Sequence, residues 1–314
     1  MPSNDFPPLR PRSDWLLDPG VTFLNHGSFG AAPRAVLAEQ ARWRERMERQ
    51  PTAFMSFELP GALRAAAEKL AAFVGAAAGD LVFVENATAG CNAVLHSLPL
   101  APGDEILLTD HGYPAVRKAA AHVAARTGAR LIEATIPFPL HARAEILAAL
   151  AARLTSRTRL LIVDHVTSPT ASIMPVAELA ALARAAGARV LVDGAHAPGM
   201  LSLDVSAIGG DWYVGNCHKW LMAPKGSAFL WASRSAQAGL HPPVISHGYG
   251  EVFAPSSTGS APATRPPGSL PRRRSIIIPP SAARPCASAM PRLPAWRHPS
   301  WPTPGAPSVA RPTR

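Results

Sequence analysis

The chain has 314 residues, 47% of them apolar, which is enough for one large domain or two ordinary ones with a substantial core. Its three cysteines, Cys91, Cys217 and Cys286, lack C-x-x-C spacing, which excludes a disulfide framework or zinc knuckle and leads to the expectation of a reducing cytoplasm and no metal. The formal charge of +10 lies in the tail: residues 254–314 hold nine arginines and no Asp, Glu or Lys, leaving 22 basic against 21 acidic residues before them. A near-neutral body argues against a nucleic-acid partner, and the lack of a long apolar run or apolar leader argues against a membrane.

In chain order, Val21–Gly30 (VTFLNHGSFG) reads as a short strand entering a Gly-rich turn, and Pro33 opens a helix through about Gln50. Its Arg42, Arg44, Arg46 and Arg49 alternate with Glu45 and Glu48 as a solvated face. A second, Ala-rich helix covers about 61–74. Strands are predicted at 81–85, 105–109, 129–134, 159–164, 189–193, 212–215 and 227–231, with helices near 88–97, 114–127, 144–154 and 176–186 between them. Segments such as Leu160-Leu-Ile-Val163 and Val190-Leu-Val192 are apolar on both faces. The expected fold is therefore α/β, with a mostly parallel sheet covered by helices on both faces. In such sheets ligands bind beyond the carboxyl ends of the strands.

The turns at those ends carry the polar residues. Glu85-Asn-Ala87-Thr88-Ala89-Gly90 starts a helix, so its amides and the Thr88 hydroxyl are either an anion cradle or an ordinary N-cap. His111 and Tyr113 offer two flat rings that stack on a planar ligand or pack against the protein. Asp164-His-Val-Thr167-Ser-Pro169 ends another strand, and Asp193-Gly-Ala-His196 the next. An acid emerging there from a buried strand needs a partner, for which a cationic ring nitrogen serves as well as an arginine. Asn25 and His26 can reach a ligand from their turn, although turn chemistry alone also explains Asn and Gly. Finally, Asn216-Cys-His218-Lys219-Trp220 is followed by Leu-Met-Ala-Pro-Lys-Gly-Ser-Ala-Phe-Leu. A lysine between His and Trp is either a surface lysine or an amine kept neutral by burial and ready to attack an aldehyde.

Taken together, LNHGSFGAAP, the turn at 85–90, DGAH and GNCHKWLMAPKGSAFL resemble the class V aminotransferase family, pyridoxal-phosphate enzymes of fold type I, over about Thr22–Phe253. The branch that looks most similar contains isopenicillin N epimerase-like proteins. The resemblance implies that Lys219 bonds the cofactor aldehyde and that Asp193 pairs with the pyridine nitrogen. It puts His196 near the phenolic oxygen and Ala87, Thr88, Ala89, Asn216 and His218 around the phosphate. His111 or, preferably, Tyr113 falls on the ring face, with Thr167 beside the cofactor and Asn25 and His26 toward the substrate. It further implies an amino-acid substrate, a homodimer if the chain is intact, and three domain segments: an N-terminal arm and small-domain part at 1–58, a cofactor-binding large domain at 59–253, and a tail. Racemisation, transamination and elimination all remain open.

The tail at 254–314 holds 15 of the 34 prolines and no helix or strand period, the composition of a disordered segment. The family continues here with D-W-x-G-T-R-D-P and a C-terminal small domain, which is expected to be missing from this chain. Codons permitted for Ser257–Leu270, read two bases on, encode D-W-I-G-T-R-D-P-P-A-W-L, so a frame shift near Phe253–Ser257 is expected. Resequencing codons 245–260 tests this. Arginine and threonine contacts to the substrate and the partner phosphate would be lost, and apolar surface would be uncovered, predicting poor solubility or dimerisation. A truncated, non-catalytic large domain is thus an alternative. A cysteine desulfurase lacks a convincing cysteine, since Cys217 adjoins Lys219 and Cys286 lies in the tail. A nucleic-acid binder would have to work through the tail alone.

Overall fold

The computed structural model describes residues 11–140, 142–245, 249 and 253. After an irregular entry come a single turn α1 (His26–Phe29), α2 (Arg34–Arg49) and α3 (Pro51–Ala53), which passes through a π-helical turn (Phe54–Glu58) into α4 (Leu59–Val74). Strands and helices then alternate: β1 (Leu81–Val84), α5 (Ala87–Ser97), β2 (Glu105–Thr109), α6 (Pro114–Thr127), β3 (Arg130–Ala134), α7 (Arg143–Ala151), β4 (Thr158–Asp164), α8 (Val176–Ala185), β5 (Arg189–Asp193), β6 (Trp212–Asn216) and β7 (Ala228–Ala232).

The sheet order is β1-β7-β6-β5-β4-β2-β3. Only β7 is antiparallel to its neighbours, so the other six strands all finish on one edge. The double-sided hydrophobicity of β4 has a direct explanation. Leu161 and Val163 join a core with Leu70 of α4, Leu150 of α7 and Leu179 of α8. Leu160 and Ile162 join the opposite core with Val94 of α5 and Val116 and Val123 of α6. Alternate side chains of one strand thus supply two cores, as the pleat requires.

One expectation is corrected. No strand forms at Val21–Asn25, because no neighbouring segment provides a ladder for its backbone groups. Instead Asn25 caps α1, its Oδ1 accepting the Ser28 N–H at 3.1 Å. The boundary drawn at 58/59 lies inside the continuous helical run Pro51–Val74. The tail and its expected frame shift lie outside the described residues.

Candidate active site

Thr109, Asp164, Asp193 and Asn216 end β2, β4, β5 and β6 on the same edge, and all four are buried. Asp164 and Asp193 are register partners in adjacent parallel strands. Beyond Asn216 the chain turns sharply. The Cys217 and His218 amides both donate to Ser227 O, at 3.0 and 3.2 Å, and Met222 N–H donates to Lys219 O at 3.1 Å. Met222 takes a left-handed φ of 55° to close that turn. Gly30 packs underneath, donating to His218 O at 3.1 Å. A Cβ on Gly30 would stand 2.4 Å from Lys219 O, so the N-terminal motif and the lysine loop fit together only through a glycine.

This turn buries Lys219 to 8% exposure. Its Nζ lies 2.9 Å from His196 Nε2 and 6.0 Å from the centroid of the Tyr113 ring. Burial lowers the Lys219 pKa, while Asp193 and Asp164 act to raise it. His196 is pushed down to about 4, by burial first and by Lys219 second, and is neutral at pH 7. Trp220 Nε1 is 3.5 Å from His196 Nδ1. If the indole donates there, the ring proton sits on Nε2 and the lysine is the acceptor, which requires the neutral amine.

Asp193 accepts the Ala195 N–H on Oδ1 at 3.0 Å, and among the described residues no side-chain donor reaches it. Burial raises its pKa, opposed by that hydrogen bond and by Lys219. A buried carboxylate short of donors suits a cationic N–H ligand. At the start of α5, the Ala87 N–H goes to Asn216 Oδ1 at 2.9 Å and the Ala89 N–H to Asn86 Oδ1 at 2.8 Å. The Thr88 N–H and hydroxyl have no partner among the described residues, so they are the groups free for an anion at the helix N-terminus. His218 is lowered by burial, and its Nδ1 donates to Ser227 O at 2.9 Å, which leaves Nε2 for a ligand.

The two rings offered by the β2–α6 turn diverge. Tyr113, partly exposed, turns its face to Lys219. His111 is buried, with Nδ1 3.1 Å from Thr170 Oγ1 and its ring edge-on to Phe138. Thr167 Oγ1 accepts the Ser172 N–H at 2.9 Å and bonds Thr170 Oγ1 at 2.7 Å. His26 packs its ring near Trp220 and leaves Nδ1 buried without a hydrogen-bond partner among the described residues. Asn25 is exposed, with both side-chain amide atoms bonded to Ser28.

Sequence reasoning passed over a supporting layer. Tyr213 OH lies 2.9 Å from His165 Nδ1 beneath the site, and the His165 N–H donates to Asp193 O at 2.8 Å. Tyr213 also lies so close to Gly194 that an added Cβ would be 2.2 Å from its hydroxyl. Asp164 had a usable signal, since it ends an apolar strand just as Asp193 does. His165–Tyr213 had none, because the pair depends on strand order.

Known proteins are similar to this chain in sequence and fold. An isopenicillin N epimerase of Streptomyces clavuligerus is 40% identical over 260 residues, covering 81% of this chain and 65% of that protein. An L-cysteine desulfhydrase of Arabidopsis thaliana is 34% identical over 247 residues, covering 74% of this chain and 54% of that protein. The chain therefore spans between half and two thirds of the length of these relatives. Among solved structures, a C-DES mutant with glycine covalently linked to its PLP cofactor has a TM-score of 0.70 at 25% identity, covering 86% of this chain and 69% of that one. The aminotransferase class-V profile matches residues 32–267, a span that takes in the α5 N-terminus, both buried aspartates and the lysine loop. The chain belongs to the class-V aminotransferase family.

Proposed function

We propose that this chain holds pyridoxal 5'-phosphate through Lys219 and acts at the α-carbon of an amino acid. The observation that carries the reading is a buried lysine 2.9 Å from a neutral histidine, in the field of a buried aspartate that no side-chain donor reaches among the described residues. The site fits the cofactor at each of its polar ends. Asp193 would hold the proton of the ring nitrogen, and the open Thr88 amide and hydroxyl would take the phosphate. Asn216 and His218 would lie beside it, with Ala87 and Ala89 completing the turn. Tyr113 is favoured over His111 for the ring face, since His111 is already engaged by Thr170. His196 and Thr167 would flank the phenolic oxygen, and His26 would face the substrate.

When bound, the cofactor supplies an electron sink that acidifies the substrate Cα–H. Lys219 would hold the cofactor at its aldehyde and carry the Cα proton, since burial lowers its pKa and favours the neutral amine that both roles need. Neutral His196 orients that amine through its 2.9 Å contact. Returning the proton to the opposite face is epimerisation, the activity named for relatives at 40 and 41% identity. Elimination of sulfide from cysteine is the second reading, favoured by desulfhydrases at 34–35% identity.

The test is to purify the chain with the cofactor, record its visible absorbance, reduce it with borohydride and map the labelled lysine. Label on Lys219 is expected; label elsewhere, or no chromophore, refutes the cofactor reading. A panel of L- and D-amino acids then separates Cα exchange from sulfide or keto-acid release. Cofactor binding without any turnover would support a non-catalytic large domain. A cytoplasmic homodimer without a nucleic-acid partner belongs to the same reading, supported by the buried Cys91 and Cys217, which form no disulfide among the described residues, and by the near-neutral body. Among the described residues no helix is long and apolar enough to cross a membrane.

A further inference from the structure

Asp164 ends β4 in register with Asp193, and both carboxyls are buried. A second buried carboxylate beside the first is unfavourable unless it is engaged, and Asp164 is engaged by the loops above it. The backbone N–H groups of Tyr113, before α6, and Ser168, after β4, reach its carboxylate. Gly112 lies over it, close enough that an added Cβ would stand 4.0 Å from Oδ1. The first contact fixes the turn that presents the Tyr113 ring to Lys219. The second fixes the loop whose Thr167 and Thr170 are linked at 2.7 Å, and Thr170 in turn meets His111 at 3.1 Å. Three candidate cofactor contacts, Tyr113, His111 and Thr167, thus hang from two loops that meet at one carboxylate.

We propose that Asp164 is a positioning residue of the site: it ties the β2–α6 turn to the loop after β4 and supplies part of the field in which Lys219 holds its proton. The inference rests on Lys219 being the site's amine. The charged and titratable groups around Asp164 are Asp193 on β5, Lys219 beyond β6 and Cys91 on α5, with His165 next in the chain. Burial raises the Asp164 pKa, with Asp193 adding to the rise, while Lys219 and the two amides oppose it. Asp193 and Asp164 in turn hold the Lys219 pKa up against burial. Neutralising Asp164 therefore moves the Lys219 midpoint to lower pH.

The test uses the full chain without cofactor, in parent, Asp164→Asn and Asp164→Ala forms. Lys219 is acetylated with acetic anhydride over a pH series and its peptide quantified by mass spectrometry, with exposed Lys225 as internal standard. In Asp164→Asn the Lys219 midpoint is expected to fall by roughly half a unit or more. Hydrogen exchange is expected to accelerate about tenfold or more at 109–113 and 166–172 and to stay unchanged at 158–163. An unmoved Lys219 midpoint, or acceleration spread evenly over the chain, overturns the proposal. If Asp164→Ala does not fold, the isosteric Asn variant carries the test. Because no cofactor is added, a failed borohydride mapping and a failed Asp164 experiment are separate results.

Discussion

Replacing Tyr213 by Phe isolates one polar contact beneath the site. The ring, its packing on Phe229 at 6.1 Å between centroids and its approach to Gly194 are kept. What goes is the 2.9 Å bond to His165 Nδ1, between two groups that are both buried. His165 is held down to about 4 by burial, so at pH 7.5 the lost bond is one between neutral partners. A neutral hydrogen bond is worth about 1 kcal/mol net, and stranding its buried partner raises the cost to about 1–3 kcal/mol. A loss of about 2 kcal/mol lowers Tm by roughly 4–8 °C in a domain of this size. Urea unfolding followed by far-UV circular dichroism measures it, with His165→Phe and the double variant completing a cycle. Non-additivity of about 1 kcal/mol is expected, since the partners touch. A Tyr213→Phe chain within about 0.5 kcal/mol of the parent, or additive losses, would refute the claim that this pair props the Asp193 turn.

Gly30→Ala drives a methyl into two backbone carbonyls, of Lys219 and His218, at 2.4 and 2.5 Å, so it should cost about 1–3 kcal/mol and weaken cofactor uptake; thermal melts and a cofactor titration check both. Asn216→Ala strands the buried Ala87 N–H and should cost a similar ~1–3 kcal/mol while raising the cofactor Kd, read by urea titration and absorbance. The pH dependence follows from His165. Its folded pKa, about 4, lies below the ordinary 6.5, so its stabilising contribution is present above pH 6.5 and lost as pH falls toward 4. The full loss approaches about 3 kcal/mol. Asp164 and Asp193, with raised pKa values, act in the opposite sense, so the measurement is parent against His165→Gln. Their stability difference should shift by up to about 3 kcal/mol, to the parent's disadvantage, between pH 7 and 4, and a constant difference would contradict the assignment.

The sequence by itself determined where most strands begin and end. Their apolar runs bounded by turn residues are local patterns, and the predicted and observed ends of β2 and β5 coincide. It also marked Lys219 and Asp193, because a lysine inside a fixed motif and an acid at the mouth of a buried strand are readable without neighbours. Val21–Asn25 misled because an apolar segment becomes a strand only if another strand pairs with it.

The tertiary structure alone decided what each site residue touches. His196 lies 23 residues before Lys219 in sequence, yet β5 and β6 are neighbours in the sheet, so the loops that follow them meet. Strand order likewise set Asp164 beside Asp193, brought Gly30 under the lysine loop and turned Tyr213 toward His165. These contacts join separate loops, and their energies depend on distances that no local period encodes. The sequence therefore named the candidate amine, acid and histidine, and only the folded sheet supplied the 2.9 Å contact between Lys219 and His196, the second carboxylate beside Asp193 and the buried tyrosine on His165.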